Sequence, residues 1–351
     1  MAPEDRPTAA HAAEHDAPAL APGRDRLSTV RVDFFLDPAE RLTEQERALM
    51  TAMLHCLVAD IADEVRAALP GSVTAANDRN PPLVEMLISA RLLDRPALVR
   101  LLLRRADEER ITSAANARSG RREARVLQGL VSHEDGAVAA AAMALILARG
   151  RRRDRFGQCL LHFDDLAMDE ARSLVHLVCA AFRADIAAIA GAAEADLLLA
   201  NAAERVLASH DSGDGVEALT ANLVRLLDEE GGLSDELIVA GAMEGEMTFV
   251  AQALARRSGV RAQVAMDELL CADERRAMAV LRTAGVSRKV AASLLAGVGD
   301  LLGIPDPGRA IDAFDRLTEA EVEDARTWLT TDPAYRDAVT ALGGDHRQRT
   351  V

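Results

Sequence analysis

The amino-acid sequence predicts an all-α protein. Hydrophobic residues make up 49% of the chain and aromatic residues only 3%, so the core is built largely from Ala, Leu and Val. Helix-forming segments of roughly 10–20 residues recur between short breakers rich in Gly, Pro, Asp and Ser. No segment alternates between apolar and polar residues as a strand would. Helices this short must bury their apolar faces against neighbours. We therefore expect a short α-solenoid of stacked helical hairpins, similar to HEAT and armadillo arrays.

The first elements can be placed from the N-terminus. Residues 1–30 combine Ala, Pro and charge without periodicity, which predicts a disordered tail. Thr43 and Glu46 have the spacing of a capping box, in which each side chain bonds to the other's backbone N–H. Apolar residues then recur at helical spacing from Met50 to Val65, and Pro70-Gly71 ends this first helix.

The rest of the chain divides into further helices. Pro96 stands where a first-turn proline is tolerated. Acidic residues are expected to cap the helix that begins near residue 168, namely Asp164, Asp165, Asp169 and Glu170. We expect an N-terminal helical region over 31–150, a C-terminal helical-repeat region over 151–343 and a disordered tail over 344–351. The predicted helices after the first are 82–92, 96–118, 121–131, 137–149, 168–190, 194–208, 215–229, 234–243, 246–257, 260–270, 273–284, 287–301, 308–316, 318–330 and 333–341.

Charge and cysteine usage narrow the functional classes. The net charge of −15 repels phosphate backbones, so nucleic acid is a disfavoured partner. Four cysteines lie far apart without a C-x-x-C pair, as in proteins of a reducing cytosol. The N-terminus has acids where a signal peptide needs basic residues. The longest apolar run, 137–148, is too short for a membrane span. We expect a cytoplasmic protein with no membrane span.

The densest basic cluster follows the helix predicted over 137–149. One interpretation is a solvated helix C-terminus whose cations interact favourably with the helix dipole. The other is a docking surface for an acidic partner protein. We adopt the second interpretation and treat the cluster as a candidate partner-binding site. Its residues are Arg149, Arg151, Arg152, Arg153 and Arg155.

A Cys/His quartet offers a possible metal site. Cys159 and His162 form one i, i+3 pair, and His176 and Cys179 form a second. Two such pairs on a helical hairpin could supply four zinc ligands. However, cysteine also occurs widely as a small core residue. We favour the packing interpretation, and predict no metal and no cofactor.

A second pattern resembles the turn of a DNA-reading helix-turn-helix, at Ala255, Gly259 and Val260. The apolar residues Val264 and Leu269 are one position out of register with that motif. The would-be recognition helix also carries Asp267 and Glu268, whereas base-reading helices normally bring Arg, Lys, Asn or Gln to the groove. An ordinary helical hairpin is the favoured interpretation.

Three stretches have leucine- and arginine-rich helix patterns. They comprise residues 42–50 with 60–69, residues 174–183, and residues 235–240 with Phe249, 253–260 and 281–286. These patterns resemble a bacterial family known as domain of unknown function 2336. The resemblance implies a helical-repeat fold and no established activity.

The sequence contains no complete catalytic motif and indicates no small-molecule substrate. We therefore expect a non-enzymatic scaffold or adaptor that binds a protein partner. The alternatives are a regulator that contacts nucleic acid through the C-terminal hairpins and a metal-assisted enzyme that uses the Cys/His quartet.

Overall fold

The computed structural model describes residues 42–71, 83–120, 125–155, 157–271 and 273–342. Both predicted disordered tails, 1–30 and 344–351, lie outside the described residues. Within the described residues the chain forms sixteen α-helices and no strand, which confirms the all-α class. The helices are α1 Glu44–Ala68, α2 Leu83–Ser89, α3 Pro96–Ser119, α4 Arg125–Val131, α5 Gly136–Arg151, α6 Met168–Ala190, α7 Ala192–Ser209, α8 Val216–Glu229, α9 Asp235–Met243, α10 Met247–Ser258, α11 Ala262–Leu270, α12 Glu274–Thr283, α13 Arg288–Val298, α14 Pro307–Arg316, α15 Glu319–Thr330 and α16 Pro333–Ala341.

Local sequence signals place most helix ends correctly. The capping box of Thr43 and Glu46 forms as predicted and starts α1. Pro96 lies in the first turn of α3, and Gly259 ends α10 in a left-handed conformation. Asp164 and Asp165 do not cap α6, because its N-cap residue is Ala167, which has no side-chain acceptor, whereas Asp169 and Glu170 lie in its first turn. Asp165 instead bonds to the backbone N–H of His162, at the start of a short 3-10 helix.

The buried residues form two hydrophobic cores. Core 1 is contributed mainly by α4, α5 and α8–α15. Core 2 is contributed by α1, α2, α6 and α7. Helix α3 belongs to both, since Leu98, Leu102 and Ala106 lie in core 2 and Ile111 lies in core 1. This shared helix therefore joins the two cores.

Packing combines sequential hairpins with contacts between distant segments. The consecutive pairs α4–α5, α6–α7 and α10–α11 pack against each other. Helix α1 also packs on α3, α6 and α7, and α9 packs on α13.

Helix α6 is long and apolar enough to cross a membrane by length and composition alone. A core helix passes the same test, and seven residues of α6 are buried in core 2.

A short turn between α9 and α10 fits closely against α3. Its residue Gly245 has φ of +75°, and a Cβ atom there would lie 2.7 Å from Cα of Thr112. The Thr112 hydroxyl donates a hydrogen bond to the Gly245 carbonyl over 3.0 Å. Glycine is therefore required at this position for both its conformation and its size.

We predict that Gly245→Ala destabilises the protein more than Gly259→Ala does. Both residues have nearly the same positive φ, but nothing lies within 4 Å of a Cβ on Gly259. Gly259→Ala should cost about 1 kcal/mol of left-handed strain. Gly245→Ala should cost about 1–3 kcal/mol more, because the added methyl meets backbone atoms that cannot move aside. Urea unfolding measures both, and equal midpoints would show that the close approach to Thr112 does not constrain the fold.

Candidate functional site

A cleft of about 860 Å³ lies beside α3. Its walls are the second half of α3, the C-terminal end of α5, the turn between α9 and α10, and the residues Arg152, Arg153, Gly157 and Cys159. Eight charged residues line it, four of each sign. They are Arg105, Arg149, Arg152, Arg153, Glu108, Glu109, Glu244 and Glu246.

A network of ion pairs forms the floor of the cleft. Arg105 is only 3% exposed, and its guanidinium pairs with both Glu108 and Glu217. Arg152, of which 11% is exposed, pairs with Asp165 and, over 2.6 Å, with Glu217. Glu217 therefore bridges two guanidinium groups that reach it from α3 and from the segment after α5.

The network shifts the pKa values of Glu217 and Arg105. Burial raises the pKa of Glu217, but the charges and hydrogen bonds of Arg105 and Arg152 outweigh it and bring that pKa down to about 2. Burial lowers the pKa of Arg105, but the carboxylates of Glu108 and Glu217 more than offset this and raise it well above its usual value. Glu217 and Arg105 are therefore both charged at neutral pH, and their pair is held by attraction between full charges.

Two further ion pairs form the rim. Arg149 pairs with Glu246, and Arg153 pairs with Glu109 over 2.7 Å. Arg153 also donates to the carbonyl of Gly157 over 2.9 Å. In both pairs the arginine is the more exposed partner: Arg153 is 43% exposed against 23% for Glu109, and Arg149 is 25% exposed against 6% for Glu246. The rim therefore presents guanidinium groups to the solvent.

The structure divides the five arginines proposed as a partner-binding site. Arg149, Arg152 and Arg153 line the cleft, whereas Arg151 and Arg155 are exposed and are not among the lining residues. Arg152 lies beyond the end of α5 and is largely buried, so a solvated helix terminus does not describe it. The segment around it turns back on itself through an isolated antiparallel bridge between Arg153 and Cys159. No pattern in the sequence predicted this turn.

The Cys/His quartet does not converge. Cys159 lines the cleft, and the ring of His162 is hydrogen-bonded to the carbonyl of Arg151 over 2.6 Å. On α6, His176 is exposed while Cys179 is buried. Burial raises the pKa of both thiols to about 11, whereas zinc binds the thiolate. Within the part of the chain that the structure describes, no three His, Cys, Asp or Glu side chains are grouped to hold a metal ion.

The hairpin that resembles a helix-turn-helix consists of α10 and α11. Gln263 is the one exposed residue of α11. Glu268 is 3% exposed and pairs with Arg276 and Arg336, each over 2.6 Å. A helix covered in this way does not present a face to a DNA groove.

Several residues of the cleft were not singled out from the sequence. Arg105, Glu108 and Glu109 belong to the charged run 104–110 in the middle of α3, and such a run directly after the apolar residues 101–103 was a usable signal. Glu217 is a single acid at the start of a helix, which is a common position for an acid. Nothing in the local sequence marks it as the centre of a network.

We predict that Arg152→Met destabilises the protein by about 3 kcal/mol, because it leaves Asp165 and Glu217 without a shared cation. This is at the lower end of the range for breaking a buried ion pair, since a third of the Glu217 side chain is still exposed. Arg183→Met is the control, because Arg183 forms a solvent-exposed pair with Asp196 and its loss should not measurably change stability. Thermal and urea unfolding test both variants. Equal stability of the two would contradict a structural role for the network.

We predict that Glu217 contributes to acid sensitivity. Its pKa in the folded protein is about 2, below the usual 4.5, so the unfolded chain binds the extra proton between these values. The stabilisation is therefore complete above pH 4.5 and is lost as the pH falls toward 2. Wild type should lose more stability over this range than Glu217→Gln does. Urea unfolding at several pH values between 4.5 and 2 measures this. If the free energy of unfolding falls equally in the two proteins, Glu217 is not the titrating group.

Comparison with known proteins places the chain in a bacterial family. The model of a family described as an uncharacterised protein conserved in bacteria, DUF2336, matches residues 112–328. The matched residues include the stretches 174–183 and 235–286 and exclude the stretch 42–69. No curated protein and no solved structure matches the chain. Because the family match covers more than half of the sequence, this chain belongs to the DUF2336 family.

Proposed function

We propose that this protein is a non-enzymatic scaffold or adaptor whose cleft holds an acidic segment of a partner protein. The observation that carries the proposal is the geometry of the rim. Arg149 and Arg153 are the solvent-facing members of their ion pairs. Guanidinium groups have five N–H donors and bind carboxylates in a planar, bidentate manner. A ligand that approaches the rim therefore meets donors and positive charge first.

The chemistry of the lining supports a protein segment as the ligand. Pockets for small molecules are predominantly apolar, with a few polar groups. Eight of the lining residues of this cleft are charged, and Thr112, Ser113, Asn116 and Thr248 add hydroxyl and amide groups. Such a surface suits a hydrated chain with carboxylate side chains.

The state of the reactive groups supports binding without catalysis. Burial raises the pKa of the Cys159 thiol to about 11, so at neutral pH it is protonated and a poor nucleophile. The carboxylates of Glu108, Glu109 and Glu246 are each paired with an arginine of the cleft. Glu244, the fourth acid of the cleft, accepts a hydrogen bond from the backbone N–H of Val126 over 2.9 Å, so each of the four carboxylates has a partner within the protein.

The finer architecture and the compartment belong to the same proposal. The packed pairs α4–α5, α6–α7 and α10–α11 support stacked hairpins of the HEAT or armadillo kind, which offer extended faces to proteins. The four cysteines are free thiols, which supports a cytoplasmic location.

We predict that a photo-crosslinking residue at position 117 captures a polypeptide in the native bacterium. Ala117 is exposed and lines the cleft. The same residue at Ala180, which is exposed on α6, controls for nonspecific capture. Arg153→Glu should remove most of the adduct formed from position 117, because it reverses the charge at the rim.

The matched control is Arg225→Glu, since Arg225 is 44% exposed and is also paired with a glutamate. This variant should capture the partner as wild type does. The proposal fails if position 117 yields no more adduct than position 180, or if Arg153→Glu and Arg225→Glu are indistinguishable. An adduct with nucleic acid would favour a regulator that binds nucleic acid instead.

A further inference from the structure

Helix α5 has an unusual composition for a helix with an exposed side. From Gly136 to Ala148 it contains no polar side chain. A helix that is apolar all round is normally buried on every side. One face of α5 is buried in core 1 and packs against α4 and α8. The opposite face is exposed to solvent.

The exposed residues of α5 form a continuous apolar line. Ala137, Ala140, Met143 and Leu147 are spaced by three or four positions, so they share one side of the helix. Met143 is 44% exposed and Leu147 is 65% exposed. We refer to these four residues as the α5 stripe. Exposed apolar residues that occur singly need no explanation, but an aligned set on one face marks an interaction surface.

Positively charged side chains follow the α5 stripe at its C-terminal end. Arg151 follows Leu147 by four positions, so it lies one turn further on the same side, and it is exposed. Arg155, four residues later, is exposed as well. The surface is therefore apolar along its length and cationic at the C-terminal end of α5.

We propose that the α5 stripe is a docking surface for an amphipathic helix of the partner protein, with acidic residues in its first turn. The apolar side of that helix packs on Met143 and Leu147, in the manner of helices that bind through anchors at i, i+3 and i+4. Carboxylates are stabilised at a helix N-terminus, and here they lie beside Arg151. The bound helix therefore runs antiparallel to α5. This inference rests on the proposed function and names a second contact of the same partner.

An anionic membrane offers related chemistry, since apolar residues flanked by arginines also bind lipid interfaces. The observations favour the protein helix. The chain has a net charge of −15, which repels an anionic bilayer as a whole. Two of the four stripe residues are alanines, whose small side chains allow close packing of a neighbouring helix and insert little apolar area into lipid.

The first test uses a fluorescent helix-forming peptide with leucines on one side and two glutamates in its first turn. Wild-type protein should bind it, and Leu147→Glu should weaken binding about tenfold or more, as the loss of a central anchor does. Leu197→Glu is the matched control, because Leu197 is 56% exposed on α7 and undergoes the same change. This control should bind as wild type does. Fluorescence anisotropy gives the affinities, and thermal unfolding verifies that both variants fold.

The second test swaps the charges. A peptide with lysines in place of the two glutamates should bind wild type more weakly and should bind Arg151→Glu more tightly than it binds wild type. Failure of wild type to bind the acidic peptide, or equal binding by Leu147→Glu, overturns the proposal. Binding of phosphatidylglycerol vesicles that Leu147→Glu abolishes, without peptide binding, would assign the stripe to a membrane.

The cleft proposal and the α5-stripe proposal can fail separately. If Arg153→Glu abolishes the position-117 adduct but Leu147→Glu does not change peptide binding, the cleft is supported as a binding site and the α5 stripe is not. If peptide binding depends on Leu147 but position 117 yields no adduct, the α5 stripe is supported and the cleft is not.

Discussion

Helix α3 carries a run of charged residues in the middle of its length, and the joining of the two cores depends on how these charges are paired. Its first half packs in core 2 and Ile111 packs in core 1. Between them, Arg105 is almost fully buried and pairs with Glu217 of α8. Arg110 donates to the carbonyl of Leu301 over 2.8 Å, and so ties α3 to the turn after α13. An unpaired charge at the buried position of Arg105 would cost several kcal/mol, and this favours the arrangement of the two cores that brings Glu217 to it.

The same pairing explains why the cleft is polar and remains open. Apolar side chains at this junction would pack against each other and merge the two cores. Charged side chains do not pack closely against apolar groups, and this leaves an open space between the helices. The less exposed arginines lie at the floor, where Arg105 and Arg152 share Glu217. The more exposed arginines lie at the rim, where screening by salt and water makes exchange with a ligand less costly. The less exposed arginines therefore hold the floor of the cleft, and the binding that we propose falls to the rim.

The sequence predicted the local features of this fold better than the distant ones. The start of α1, the first turn of α3 and the end of α10 follow from Thr43, Pro96 and Gly259, because capping depends on a few neighbouring residues. Arg149, Arg152 and Arg153 of the cleft were found because they belong to a dense cluster in the sequence, whereas Arg105 was missed. Their acidic partners were not found, since Glu217 lies 112 positions from Arg105 and has no local signature. Asp165 was taken for a helix cap, because a helix start and an ion pair use the same residue type.

The turn between α9 and α10 limits how the length of the chain can vary in evolution. It places Glu244, Gly245 and Glu246 against the cleft within three consecutive residues. Gly245 touches the backbone of α3, and Glu246 pairs with Arg149 at the end of α5. An inserted or deleted residue would displace one of these contacts, because all three residues of this short turn are already held in place. Insertions that keep the cleft intact must therefore fall in other connections, away from the wall that this turn supplies.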